Sequence, residues 1–179
     1  MDRIWAPWRM PYLKNPKKEK GCIFCLKPRR KNDAENLILY RGKRAFVLMN
    51  LYPYSNGHLM VSPYRHVGDL EKLDPPTLRE IMTTVQKAMS ALRRSFKPNA
   101  FNVGVNQGRE AGAGIADHIH FHIVPRWNGD TNFMPVLGAT RVIPEDLETT
   151  YERLRPLFKT GKKRLKKMAT APKKRSRGK

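Results

Sequence analysis

No apolar run in this chain approaches the ~18 residues that a membrane-spanning helix needs, which excludes a helical membrane protein. The first residues, Met1-Asp2-Arg3-Ile4-Trp5, lack the apolar core of a secretory signal, so a soluble cytoplasmic protein is expected. Cysteine is scarce as well: only Cys22 and Cys25, spaced too closely to cross-link a fold, which excludes a disulfide framework. Acidic residues are few, 15 against 36 Lys and Arg. Eleven of the basic residues fall in 159–179, a segment with no acid; without it, 25 basic residues face 15 acidic ones. That composition predicts a disordered, solvated tail, which either attracts nucleic acid or another polyanion nonspecifically or merely keeps the chain soluble. Internal repeats are absent too.

At 179 residues the chain suits one domain with extensions. We expect an N-terminal arm over 1–35 that carries the Cys-x-x-Cys pair, a catalytic domain over 36–158 and the basic tail over 159–179. The arm is rich in proline (Pro7, Pro11, Pro16, Pro28), and Trp5, Trp8 and Tyr12 suggest that it docks on something. Strand-like runs follow at Leu37–Arg41, Arg44–Asn50 and His58–Ser62, with a tight turn at 41–44 and a loop at 51–57. Asp74 and Pro75 form the opening of a helix, as N-cap and first helical residue. Leu78, Ile81, Met82, Val85, Met89 and Leu92 continue it as an apolar stripe up to Lys97-Pro98. Ala100–Val105 and Asp117–Val124 read as strands, and Glu145–Phe158 as a final helix. The alternation of strand and helix that builds a doubly wound parallel sheet is missing. The order instead predicts an α+β fold, an antiparallel sheet with a long helix and a C-terminal helix packed on it.

Histidine is rare, five in all, and three of the five stand at His118, His120 and His122. In a strand, alternate side chains share a face. The three imidazoles would then look into a site while Ile119, Phe121 and Ile123 pack inward. Imidazole titrates near neutrality, so such a cluster suits nucleophilic, acid–base or metal chemistry.

The loop before the triad, Asn106–Gly114, holds Gly108, Gly112 and Gly114, and glycine lets backbone N–H groups turn toward an anion. A phosphate cradle beside a nucleophile is the reading that this juxtaposition supports. Cys22-x-x-Cys25 is half of a zinc site, with His66 and one triad histidine as natural completing ligands; a redox dithiol or two unligated thiols are the alternatives. His58 could enter the site or cap its turn, and Asn50 could bind a ribose or end a strand. By composition Phe46 and Leu51 suit a core. Trp127 could stack on a ligand or pack.

His118-Ile119-His120-Phe121-His122-Ile123-Val124 matches the full His-x-His-x-His signature with two trailing apolar residues, and the chain thus resembles the histidine triad (HIT) nucleotide hydrolases and transferases. The likeness runs from about Cys22 to Trp127 and includes Gly57-His58-Leu59-Met60-Val61-Ser62-Pro63 and Asn102-Val103-Gly104-Val105-Asn106. Trp5-Ala6-Pro7-Trp8-Arg9-Met10, Pro125-Arg126-Trp127 and Gly129-Asp130-x-Asn132-Phe133 are most similar to the bacterial diadenosine tetraphosphate phosphorylase branch.

The resemblance implies an enzyme that forms a nucleotidyl-histidine intermediate and cleaves dinucleoside polyphosphates, diadenosine tetraphosphate first among them, by phosphorolysis or hydrolysis. It implies His120 as nucleophile, His122 on the phosphate oxygens or leaving group, and His118 either as fourth ligand of a structural zinc with Cys22, Cys25 and His66 or as a partner orienting His120. Asn106, Gly112 and Gly114 would bind phosphate, Asn50 the ribose, Phe46 and Leu51 the base, and His58 would lie beside the phosphates; Trp127 joins the nucleotide-binding set. Where some relatives carry serine or glutamine before the triad, Gly114 and Ile115 stand here, leaving phosphate to backbone N–H groups. The family also implies a homodimer. The rival readings are a nucleoside phosphoramidase or other nucleotide hydrolase of the family, a basic nucleic-acid-associated protein with a vestigial triad, and a zinc-stabilised structural module.

Overall fold

The computed structural model describes residues 21–130 and 143–159. The aromatic arm, the segment with Asn132 and Phe133, and the basic tail beyond Lys159 lie outside the described residues. Five strands form one antiparallel sheet: β1 (Ile38–Arg41), β2 (Ala45–Met49), β3 (Leu59–Pro63), β4 (Ala100–Val105) and β5 (Phe121–Arg126), in the spatial order β1-β2-β3-β5-β4. Among the described residues three α-helices accompany it: a single turn α1 (Ile23–Leu26), the long α2 (Pro75–Phe96) and α3 (Leu147–Lys159). The predicted α+β architecture is the observed one. Among the described residues no helix is long and apolar enough to cross a membrane.

The long helix begins and ends as its sequence predicts. The Asp74 carboxylate accepts the Thr77 N–H at 2.7 Å, and Lys97 closes the helix in the left-handed region at φ 49°. Its stripe of Ile81, Val85, Ala88 and Leu92 packs on the sheet with Leu39, Val47, Val61, Ile123 and, from α3, Tyr151, Leu154 and Phe158. The other sheet face carries a smaller cluster of Ile38, Phe46, Leu48 and Met60, closed by Phe24 of α1. β2 is therefore buried on both faces, and its five residues are apolar without alternation.

Some boundaries differ from the sequence reading. The residues around the cysteines, read as irregular, hold α1 and a following 3-10 turn at Lys27–Arg29. The last helix starts at Leu147 rather than Glu145, because Asp146 caps it by accepting the Thr149 N–H at 2.8 Å. The triad strand starts at Phe121, not Asp117, so only His122 lies within β5. Pro63 explains this shift. Its carbonyl faces the triad segment, but it has no N–H to give, so the ladder between β3 and β5 stops at the Val61–Phe121 pair. Side chains take over beyond it: Ser62 Oγ donates to the Ile119 carbonyl at 3.1 Å, and the Ile119 N–H turns to the Val67 carbonyl at 2.7 Å. The alternation survives without a ladder. Ile119, Phe121 and Ile123 enter the α2-side core, and the histidines take the face that α1 covers.

Candidate active site and metal cluster

His120 stands between two unlike neighbours. Its Nδ1 lies 2.8 Å from the carbonyl oxygen of His118. A carbonyl can only accept, so Nδ1 carries the proton and the neutral ring presents a bare lone pair at Nε2. Phe24 stacks on this ring, centroids 4.5 Å apart at 29°, and tilts against His118 at 5.3 Å. The His122 ring stands edge-on to it at 4.9 Å.

The proton on His122 follows from a longer chain. The Tyr54 backbone N–H donates to His58 Nδ1 at 3.0 Å, with the Asn50 amide nitrogen 3.3 Å from the same atom. His58 must then hold its proton on Nε2, which donates to His122 Nδ1 at 3.0 Å. Neutral His122 is left with its proton on Nε2, as a donor. The Tyr54 ring stacks over His122 at 6.0 Å and leans on His58 at 4.7 Å. Gly104 of β4 is the cross-strand partner of His122, and a Cβ there would meet nothing within 4 Å, so the sheet beside His122 is open.

His118 has the opposite polarity. Its Nε2 donates to the Pro63 carbonyl at 2.9 Å, which turns the Nδ1 lone pair toward Cys22 Sγ at 3.3 Å, Cys25 Sγ at 3.5 Å and His66 Nδ1 at 3.3 Å. Cys25 Sγ and His66 Nδ1 are 3.4 Å apart, and all four ligand atoms lie within 4.8 Å of one another. Tetrahedral zinc with bonds of ~2.0–2.3 Å sets its ligand atoms roughly 3.3–3.8 Å apart, so two thiols and two imidazoles at these spacings could hold one such ion. Burial, then the adjacent Cys22, push the Cys25 thiol up. A thiol that resists ionising on its own, as Cys25 does, gains most from a cation.

The electrostatics keep the triad uncharged at neutral pH. Burial, reinforced by His120, lowers His122 to about 4. Burial also lowers His120, against the opposing pull of its bond to the His118 carbonyl, and lowers His118, to which His66 and His120 add.

The remaining sequence candidates fall in varied places. Asn50 is tied into the His58 turn, its Oδ1 accepting the Tyr52 N–H at 3.0 Å. Leu51, given a core reading by composition, is 49% exposed. Phe46 is fully buried, stacked on Tyr64 at 5.2 Å within the α1-side cluster, so it presents no surface to a base. The glycine loop turns on Gly108 (φ 86°) and Gly112 (φ 87°). Asn106 lies against Gly112, its Nδ2 3.7 Å from where a Cβ would stand, and Gly114 borders open space. The Trp127 indole N–H donates to the Phe96 carbonyl at 3.2 Å, which binds it to the end of α2. Sequence reasoning overlooked Phe24 and Tyr54. Phe24 was signalled by being the large apolar residue inside Cys-x-x-Cys; nothing in the sequence distinguished Tyr54 from its exposed neighbours.

With this arrangement in view, the pattern of the HIT domain family matches residues 31–129. The chain belongs to the HIT domain family. It is 40% identical over 157 residues to the AP-4-A phosphorylase of Mycobacterium tuberculosis, an alignment covering 84% of this chain and 80% of that one. It is 32% identical over 127 residues to the asymmetrical bis(5'-nucleosyl)-tetraphosphatase of Schizosaccharomyces pombe, covering 71% of this chain and 66% of that one. Among solved structures, a zinc-bound histidine triad family protein from Mycobacterium smegmatis superposes with a TM-score of 0.62 at 28% identity, covering 78% of this chain and 94% of that one. As a HIT protein, the chain is a nucleotide-handling enzyme.

Proposed function

We propose that this enzyme cleaves dinucleoside polyphosphates through a nucleotidyl-histidine on His120, with diadenosine tetraphosphate as its principal substrate. The observation that carries the reading is the bare Nε2 of His120, fixed by the 2.8 Å bond from its Nδ1 to the His118 carbonyl and set beside a proton-bearing His122. The names of the M. tuberculosis and S. pombe relatives support the substrate class.

In this reading the Nε2 lone pair attacks an α-phosphorus, a P–N bond forms, and the bond from that phosphorus to its bridging oxygen breaks. The electron pair leaves with the rest of the polyphosphate, and the His122 Nε2–H donates to the departing oxygen. The proton stays on Nδ1, which donates to the His118 carbonyl throughout, and that bond spreads the positive charge that the ring gains. An incoming oxygen nucleophile then displaces the imidazole at phosphorus and restores the resting ring. Orthophosphate as acceptor yields ADP and ATP from diadenosine tetraphosphate; water yields AMP and ATP. Asn106 and the N–H groups around Gly112 and Gly114 bind phosphate oxygens in this reading, and Asn50 the ribose. Leu51 and Trp127 border the nucleoside in this reading, whereas Phe46, buried against Tyr64, does not reach it.

Cys22, Cys25, His66 and His118 would hold zinc, which when bound clamps the loop behind the triad as a structural ion. A homodimer would cover the free edge of β4, where Val103 is 44% exposed, and the neighbouring face of α2, where Met82 is 43% exposed. Product analysis of diadenosine tetraphosphate turnover with and without orthophosphate tests the reaction. ADP and ATP in phosphate, with the adenylyl group trapped on His120, is the expected result. Turnover without any label on a histidine would end the covalent reading.

A further inference from the structure

The two cysteines and the ring that backs His120 belong to one turn of chain. In Cys22-Ile23-Phe24-Cys25 the flanking thiols face His118 and His66, while Phe24 points the other way into the α1-side cluster at 1% exposure. There it lies flat against His120, centroids 4.5 Å apart at 29°, and also touches His118. On the far side of the ring, the His118 carbonyl holds Nδ1. His120 is thus held at its edge by a residue of the metal cluster, His118, and on its face by Phe24, which lies between that cluster's two cysteines. Phe24 makes no polar contact and is too buried to meet a substrate. As a core residue it could have been any large apolar side chain; what an aromatic adds is a flat surface stacked on the imidazole.

We propose that Phe24 is a positioning residue for His120, and that the Cys-x-x-Cys turn aims the nucleophile as well as binding metal. An imidazole held only at Nδ1 can still swing about that hydrogen bond, and the swing moves Nε2 out of line with the phosphorus. A flat wall on one face removes that freedom. Misalignment on the order of 1 Å costs roughly a hundredfold in rate, so even partial loosening is measurable. This inference rests on the reading of His120 as nucleophile.

The test uses the full chain with Phe24→Leu and Phe24→Met, both large enough to keep the cluster filled, where Phe24→Ala would open a cavity. Five quantities are measured: bound zinc, Tm, the single-turnover rate of adenylyl transfer from diadenosine tetraphosphate to the protein, the steady-state KM, and the ¹⁵N-edited signal of the His120 ring. The expected result is unchanged zinc content, a transfer rate reduced roughly ten- to a hundredfold, KM within about threefold of wild type, and a broadened Nδ1–H resonance. The same broadening is expected in wild-type protein stripped of zinc by a chelator, a readout that does not depend on turnover. Wild-type transfer rates in both variants would overturn the proposal. So would a variant that loses zinc and regains its full rate when zinc is restored, since Phe24 would then serve only metal assembly. If His120 is not the nucleophile, His120→Ala retains adenylyl labelling, a result that separates failure of that reading from failure of this one.

Discussion

His118 and His122 flank His120 at equal spacing in the sequence, yet the structure gives them opposite surroundings. His118 is fully buried, donates through Nε2 to a proline carbonyl and offers Nδ1 to a cluster of sulfur and nitrogen atoms. His122 is half-buried, accepts at Nδ1 from His58 and keeps its Nε2 proton beside the open ground of Gly104. The difference lies in what each ring nitrogen meets, not in the residue itself. A carbonyl opposite Nε2 leaves one imidazole with a lone pair that a metal could take, whereas a donor opposite Nδ1 leaves the other with a proton to give. His120 between them borrows from both sides: its tautomer from the His118 backbone and its working partner from His122.

The sharpest way to break this division of labour is to remove its centre. His120→Ala should lower turnover of diadenosine tetraphosphate by roughly three orders of magnitude or more and leave Tm close to wild type. Retention of more than a tenth of the rate would show that the asymmetry has no catalytic meaning. A second, smaller loss tests the His122 side. His58→Ala removes the donor that sets the His122 tautomer, and kcat should fall on the order of ten- to a hundredfold with little change in KM. Should KM rise instead while kcat holds, His58 would be a binding residue and the tautomer argument would fail.

Much of this was legible beforehand, for reasons that differ by element. The caps and stripe of α2 are local, so Asp74 and Lys97 mark its ends in the sequence as they do in the fold. The histidine alternation was legible because Ile119, Phe121 and Ile123 must enter the core wherever the ladder stops. Where it stops was not, because it depends on Pro63, a residue 58 positions before Phe121 that simply lacks an N–H. Cys22, Cys25 and His66 could be named from residue types, with one triad histidine to complete the set; the family resemblance singled out His118, and the four do converge. Phe46 shows the limit of transfer by position: it is buried on the face of β2 that α1 covers, and α1 is a single turn too short for any periodicity to reveal.

The His118 side should fail differently. Cys25→Ser is expected to abolish stoichiometric zinc and to lower Tm by several degrees, at about 2–4 °C per kcal/mol for a chain of this size. His58→Ala should leave zinc content unchanged and lower Tm by less. Zinc titration and thermal unfolding of the two variants side by side give the check. Equal Tm losses would mean that the two flanks share one structural role.

The smallest effect is a pH dependence, and its sign follows from burial. His122 is held at about 4 in the fold, against an ordinary value of 6.5 when unfolded, first by burial and then by His120. Between these values the unfolded chain binds the proton and the folded chain does not, so each step down in pH favours unfolding. This contribution to stability is complete above about pH 6.5 and drains away toward pH 4. Protonation at Nδ1 would also set two donors against each other, since His58 Nε2–H already points there. The urea midpoint should therefore fall steadily from pH 6.5 to 4.5, and His122→Asn, which cannot take the proton, should flatten that slope. Because His118 and His120 are lowered by burial too, some slope survives in the variant. Only the difference between the two curves belongs to His122, and parallel curves would mean that its pKa is not depressed in the fold.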